Sequence, residues 1–165
     1  MSRRSHLNGT APVALPSRQR YSMKLPFTGG CLCGAIRYEV TQPPLKVYTC
    51  HCLDCQRITS SAFSIGVTVP GEAFRQTGKD AVGLPGGITA SGRVKTRWVC
   101  PNCGTTLYGG PRLGTEPPGY NRTIRGGTLD DTSWLKPTMH FWTRSKQPWV
   151  VMPDGDESYD TQPGA

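Results

Sequence analysis

Seven cysteines fall into three groups: Cys31 and Cys33 in "CLC", Cys50, Cys52 and Cys55 in "CHCLDC", and Cys100 and Cys103 in "CPNC". The odd count and the short spacings suit thiolates converging on an ion, whereas a disulfide-stapled domain favours an even number. A C-x-C on an extended segment turns both sulfurs to one side, because side chains alternate along a strand. C-P-N-C is a knuckle in which Pro101 fixes the start of the turn and Gly104 tolerates left-handed backbone. Together Cys31, Cys33, Cys100 and Cys103 make a set of four thiolates, the closed coordination of structural zinc. Such a clip ties the start of the fold to a strand far along the chain. Reading C-P-N-C as a redox pair calls for a helix after it, and the β-forming "TTLY" follows instead.

Cys50, Cys52 and Cys55 remain. Cys50 and Cys52 share a face, and Cys55 returns toward them after one turn. Three protein ligands with an open fourth position characterise a catalytic zinc. Three thiolates on a divalent ion leave a net charge of about −1, a poor setting for making hydroxide but a good one for holding a further thiolate. His51, between two thiols that share a face, points away on extended backbone and reads as a packing or supporting residue, with a direct role as the alternative. A second structural site completed by His51 or His140, and a metal-free cysteine cluster, stay open as further readings.

The elements that must carry these thiols are short strands. "GAIRYEV" alternates Ile36, Tyr38 and Val40 against Arg37 and Glu39, and "QPPL" ends it because proline cannot donate to a ladder. "KVYTC" is a strand running into the thiol cluster, and "CLDCQRI" has room for one or two helical turns. "AFSIGVTV", "AFRQTG" and "VKTRWVC" read as further strands, followed by "TTLYGG", "IRGGTLDD" and "TMHFWTRS", with loop between Tyr108 and Tyr120. The expected fold is mainly β, of antiparallel sheets with one or two short helical turns.

The chain's 165 residues suggest one domain. We expect a basic, disordered extension over 1–26, a zinc-binding domain over 27–153 and an acidic tail over 154–165. The extension has no apolar run for a secretory signal; its Arg and Ser content resembles that of an organelle transit peptide, and a loose tail, or a start placed ahead of Met23, is the simpler reading. The net charge of +8 invites a nucleic-acid partner, yet outside the extension only "RVKTR" concentrates it, with Arg93, Lys95 and Arg97 on one strand face. A solvated face is the simpler reading there, so nucleic acid is not the expected partner. No segment approaches the roughly 20 apolar residues of a membrane span, and clustered thiolates favour a reducing compartment, so the cytoplasm is the expected location.

"FTGGCLCGAIRYEV", "CHCLDCQR…SSAFS", "CPNCGTTLYG" and "GTLDD…PTMHFWTRSKQPW" resemble, in this order, the glutathione-dependent formaldehyde-activating enzyme family, which includes the centromere protein V-like proteins. The likeness runs from about Phe27 to beyond Trp149. It implies a small β-tent fold, related to methionine sulfoxide reductase B and to a Rab exchange-factor homologue. It implies a structural zinc at Cys31, Cys33, Cys100 and Cys103 and a second, catalytic zinc at Cys50, Cys52 and Cys55 with glutathione bound nearby, hence two zinc ions per chain. The implied reaction is that of a carbon–sulfur lyase: glutathione and formaldehyde join as S-hydroxymethylglutathione, the substrate thiol being the fourth ligand. His51, Gln56 and Arg57 border the cluster as candidate substrate contacts, and Arg93 and Arg97 are alternatives for holding glutathione's carboxylates. The competing function is a non-catalytic, zinc-dependent binding module for nucleic acid or protein. A methionine sulfoxide reductase would need a late catalytic cysteine, and none follows Cys103.

Overall fold

The computed structural model describes residues 23–88 and 94–163, so Arg93 and most of the N-terminal extension lie outside the described residues. In β2 (Ile36–Val40) the side chains of Ile36, Tyr38 and Val40 are buried while Arg37 and Glu39 are only half-buried, the period-two pattern of a strand with one face on the core. β1 (Phe27–Gly30) and β5 (Phe74–Gly78) flank it, both antiparallel, to complete a three-stranded sheet.

A second sheet of eight strands holds β3 (Lys46–Cys50), β4 (Ser64–Pro70), β6 (Val82–Ile88), β7 (Val94–Val99), β8 (Thr106–Gly109), β9 (Asn121–Arg125), β10 (Met139–Phe141) and β11 (Glu157–Tyr159). Their order is β11-β10-β3-β4-β9-β8-β7-β6. The fold is mainly β, and most neighbours are antiparallel; among the described residues β10 alone runs parallel, to both β3 and β11. A parallel neighbour needs a crossover connection, and residues 126–138 and 142–156 supply the two. One helix, α1 (Leu53–Thr59), is found among the described residues, together with single 3-10 turns after β4, β9 and β10.

The core lies between the sheets. Ile36 and Val40 from the small sheet meet Val67, Val69, Leu107 and Ile124 from the large one, all at 0% exposure. Arg122 is buried among them with its guanidinium 4.8 Å from the Tyr108 ring centre and 5.3 Å from that of Phe74, and pairs with Glu116. A desolvated guanidinium is tolerated where aromatic faces and a carboxylate both meet it.

Three features that the sequence reading did not place have local causes. The strand expected within "IRGGTLDD" lies earlier, over "NRTIR", because Gly126 to Thr128 turn as a 3-10 helix. β6 contains Pro85 and Gly86, residues that argue against a strand; it is an edge strand with an irregularity in its register after Pro85, where a missing N–H costs no ladder bond. The acidic segment after 154 is drawn in as β11, where Asp156 also bonds His140.

Candidate functional site

The C-x-C and C-x-x-C turns close through Gly34 and Gly104, whose φ values of +75° and +73° lie where only glycine is at ease. Gly34 N–H donates to the Cys31 carbonyl and Gly104 N–H to that of Cys100, folding each pair of thiols inward. All four sulfurs of Cys31, Cys33, Cys100 and Cys103 lie within 4.8 Å of one another. The Cys31–Cys33 and Cys33–Cys100 sulfurs are 3.5 and 3.7 Å apart. A tetrahedral zinc with Zn–S bonds of about 2.3 Å sets ligand sulfurs roughly 3.8 Å apart, so this set fits such an ion. The Ile36 N–H donates to Cys31 Sγ at 3.3 Å, and the Thr105 hydroxyl lies 3.2 Å from Cys103 Sγ. The contacts with Thr105 lower the Cys103 pKa and favour its thiolate.

The second group stands where β3 ends and α1 begins. Cys50 is the last residue of β3, Cys52 caps α1 by accepting from the Cys55 N–H at 3.4 Å, and Cys55 lies in the first turn. Their three sulfurs are also within 4.8 Å of one another, and no histidine or carboxylate among the described residues joins them. Hydrogen bonds from the Cys50 and Cys52 thiols drive the Cys55 pKa far below its usual range; burial opposes this, while Ser64 and the Arg125 cation add to it. The same sharing pushes Cys50 up, with burial adding to the rise. This donor set fits a thiophilic metal ion with one coordination position left over.

His51 turns away from the sulfurs. Its ring is 1% exposed, its Nε2 is 3.0 Å from Thr49 Oγ1, and Thr49 Oγ1 lies 2.7 Å from His140 Nδ1. The other ring nitrogen of His140 is 3.1 Å from Asp156 Oδ2, so neither histidine completes the three-thiol site. Burial, with lesser contributions from His140 and Lys146, lowers the His51 pKa to about 4 and keeps the ring neutral. Gln56 is fully engaged: its amide donates to the carbonyls of His51 and Ser145 and accepts from Gln147. Arg57 is exposed on α1, away from the cavity beside the thiols.

That cavity, of about 80 Å³, sits over the outer face of the large sheet and is built by strand register. Cys50 pairs with Ser64, and Tyr48 with Gly66, which in turn pairs with Arg125. One row further, Lys46, Thr68, Thr123, Gly109 and Arg97 lie side by side across five strands. Because side chains alternate, residues of these rows share the face that bears Cys50, while Val67, Val69 and Ile124 point into the core. Tyr48, Arg97 and Arg125 reach the cavity, and so does Trp142, whose backbone adopts φ +61°, an unusual conformation for a bulky side chain. Tyr48, Thr96, Gly109, Thr123 and Gln162 are shared with an adjoining groove of about 820 Å³. Sequence reasoning reached Arg97 but missed Tyr48, Ser64, Arg125 and Trp142. Only the pairing of strands distant in sequence gathers them.

No helix among the described residues is long and apolar enough to cross a membrane. Comparison with known proteins bears on the chemistry. An uncharacterized lyase of Schizosaccharomyces pombe is 34% identical over 93 residues, covering 55% of this chain and 62% of the relative. The match thus spans less than two thirds of that protein's length. A crystal structure of a Rhodobacter sphaeroides protein superposes with a TM-score of 0.45 at 20% identity, covering 62% of this chain and 87% of that one. The family model described as glutathione-dependent formaldehyde-activating enzyme matches residues 26–145, which hold both cysteine groups. The chain belongs to the glutathione-dependent formaldehyde-activating enzyme family.

Proposed function

We propose that the protein is a zinc-dependent carbon–sulfur lyase that joins a thiol, glutathione or a close relative, to formaldehyde or a similar aldehyde. The observation that carries the reading is the convergence of Cys50, Cys52 and Cys55, with no fourth protein ligand among the described residues, on a cavity that opens beside a groove. When bound there, a zinc ion supplies a Lewis-acidic position that keeps an incoming sulfur deprotonated near neutral pH. Cys31, Cys33, Cys100 and Cys103 would hold a second zinc whose role is structural.

The chain's own residues bind and orient. The groove receives the body of the thiol substrate and the cavity its reactive end, which brings sulfur and aldehyde carbon together. As the sulfur–carbon bond forms, the carbonyl π pair moves to oxygen, and that oxygen takes up one proton while the thiol has released one. Tyr48 keeps its own proton at Oη, because burial pushes its pKa up and outweighs the opposing hydrogen bond with Thr123. Lining the cavity, it is placed to donate a hydrogen bond to the developing alkoxide. Trp142 and Tyr48 present apolar surface that excludes water from the adduct. Thiols grouped in metal-ligand geometry suit a reducing compartment, and the cytoplasm is the proposed location.

Zinc per chain, measured in the wild type and in Cys52→Ser with and without glutathione, tests the reading. We expect about two ions in the wild type and about one in a folded Cys52→Ser, since three ligands hold an ion less tightly than four. Zinc-edge X-ray absorption of the wild type should record additional sulfur coordination when glutathione is added. An unfolded Cys52→Ser, or coordination indifferent to glutathione, counts against the proposal.

A further inference from the structure

Two arginines that line the cavity beside Cys50, Cys52 and Cys55 keep buried donors without partners. Among the described residues, the buried Nε atoms of Arg97 and Arg125, both of which line this cavity, lack a hydrogen-bond partner. Buried polar groups are nearly always paired, so these two mark a place where an acceptor belongs.

The two arginines come from strands separated by β8, and the intervening row contributes Gly109, which pairs with Arg97 on one side and Thr123 on the other. No side chain at 109 fills the space between them. Neither Arg97 nor Arg125 forms an ion pair with a described carboxylate; Asp54, on the exposed face of α1, reaches the rim without pairing to them. Their Nε atoms also donate to none of the sulfurs. A guanidinium presents Nε–H beside a terminal N–H as a planar fork, and the acceptor that matches this fork is a carboxylate, with two oxygens in one plane. A cavity of about 80 Å³ has room for roughly five to eight water-sized groups, enough for a thiol and a nearby carboxylate.

We propose that Arg97 and Arg125 form a carboxylate-binding subsite beside the three thiols, so that the protein selects thiol substrates that carry a carboxylate. This rests on the thiol reading above and adds to it the feature by which one thiol is chosen over another. The bare requirement for sulfur would admit neutral thiols; the arginines would not favour them.

The test compares glutathione with glutathione diethyl ester, in which both carboxylates are masked, by calorimetric titration of the zinc-loaded protein. The wild type should bind glutathione at least roughly tenfold more tightly than the diester, the scale of one charge-assisted contact. Arg97→Met and Arg125→Met should each bring that preference below about threefold while diester binding stays near wild type. Zinc content is measured alongside. Should a Met variant lose zinc or fail to fold, Arg→Lys at the same position keeps the charge, lacks the fork, and should still cut the preference at least about threefold.

Equal binding of acid and diester by the wild type overturns the subsite and leaves the thiol reading standing. A wild-type preference that survives in the variants at both positions also overturns it, since the carboxylate is then held elsewhere. Failure of the wild type to bind either ligand overturns the thiol reading and the subsite with it.

Discussion

Tyr48 stands directly across the β3–β4 pair from Gly66, and its ring occupies the space that a Cβ at position 66 would need: that atom would lie 2.5 Å from Tyr48 Cζ. Gly66→Ala therefore forces the ring to move, and the open side is the cavity beside the thiols. We expect a loss of about 1–3 kcal/mol in stability and weaker thiol binding, because the site is overpacked rather than emptied. Thermal unfolding and glutathione titration measure the two effects. An unchanged Tm means the ring yields at no cost.

Gly109 makes the opposite case. A Cβ there would find only the Thr96 carbonyl, at an ordinary 3.7 Å, so a side chain fits the fold but projects toward the arginines. Gly109→Val should hold stability within about 1 kcal/mol, helped by its strand preference. Affinity for glutathione should nevertheless fall by roughly tenfold as the valine takes up cavity volume. Full affinity in the variant would place the substrate elsewhere on the sheet.

The two proposed zinc sites should come apart in sequence under a chelator. Cys31 and Cys100 are part of the main core, at 5% and 1% exposure, so releasing an ion from their site exposes apolar surface as well as thiols. The three-thiol ion, with one fewer ligand, leaves first and without unfolding. Zinc release followed by a colorimetric chelator, with circular dichroism recorded in parallel, should give a first phase silent in dichroism and a second that carries the unfolding. Simultaneous loss of both ions and of structure contradicts this order.

Acid stability should depend on Glu116. Burial raises its pKa, but backbone amides and the Arg122 guanidinium outweigh it, and the net position lies below the ordinary carboxyl value. A carboxyl depressed by folding adds stability above its unfolded pKa, and that contribution is lost as pH falls through the folded one. Glu116→Gln should flatten this acid limb. At neutral pH it should cost about 1–3 kcal/mol, because Arg122, fully buried, is left without its carboxylate. Chemical unfolding at pH 3 to 7 reads both, and parallel curves for variant and wild type would assign the acid sensitivity to other groups.

How far these features could be read from the sequence depends on whether the information is local. Thiol spacings are local, so the four-cysteine and three-cysteine groups follow from "CLC", "CHCLDC" and "CPNC", and alternation along "IRYEV" gives β2 with its buried face. Arg125 and Ser64 carry no such mark. They become neighbours of Cys50 only because β3, β4 and β9 pair in one particular register, and a shift of one residue would send Arg125 to the core face. Gln56 adjoins Cys55 in sequence, and its amide is engaged by the carbonyls of His51 and Ser145, contacts that no local pattern announces. Pro85 and Gly86 hid β6, since their strand-breaking tendency is tolerated at an edge.

Those same edges bear on how the protein behaves when concentrated. Among the described residues, the sheet of eight strands has two margins without a strand neighbour, whose amides and carbonyls could recruit a strand from another molecule. One margin is β6, broken by Pro85 and an irregular register; the other is β11, only three residues long and beginning with Glu157. Each offers too short or too uneven a ladder for a foreign strand to extend. The acidic stretch after 154 thus acts as a border that discourages fibrous association, a service to solubility separate from any chemistry at the thiols.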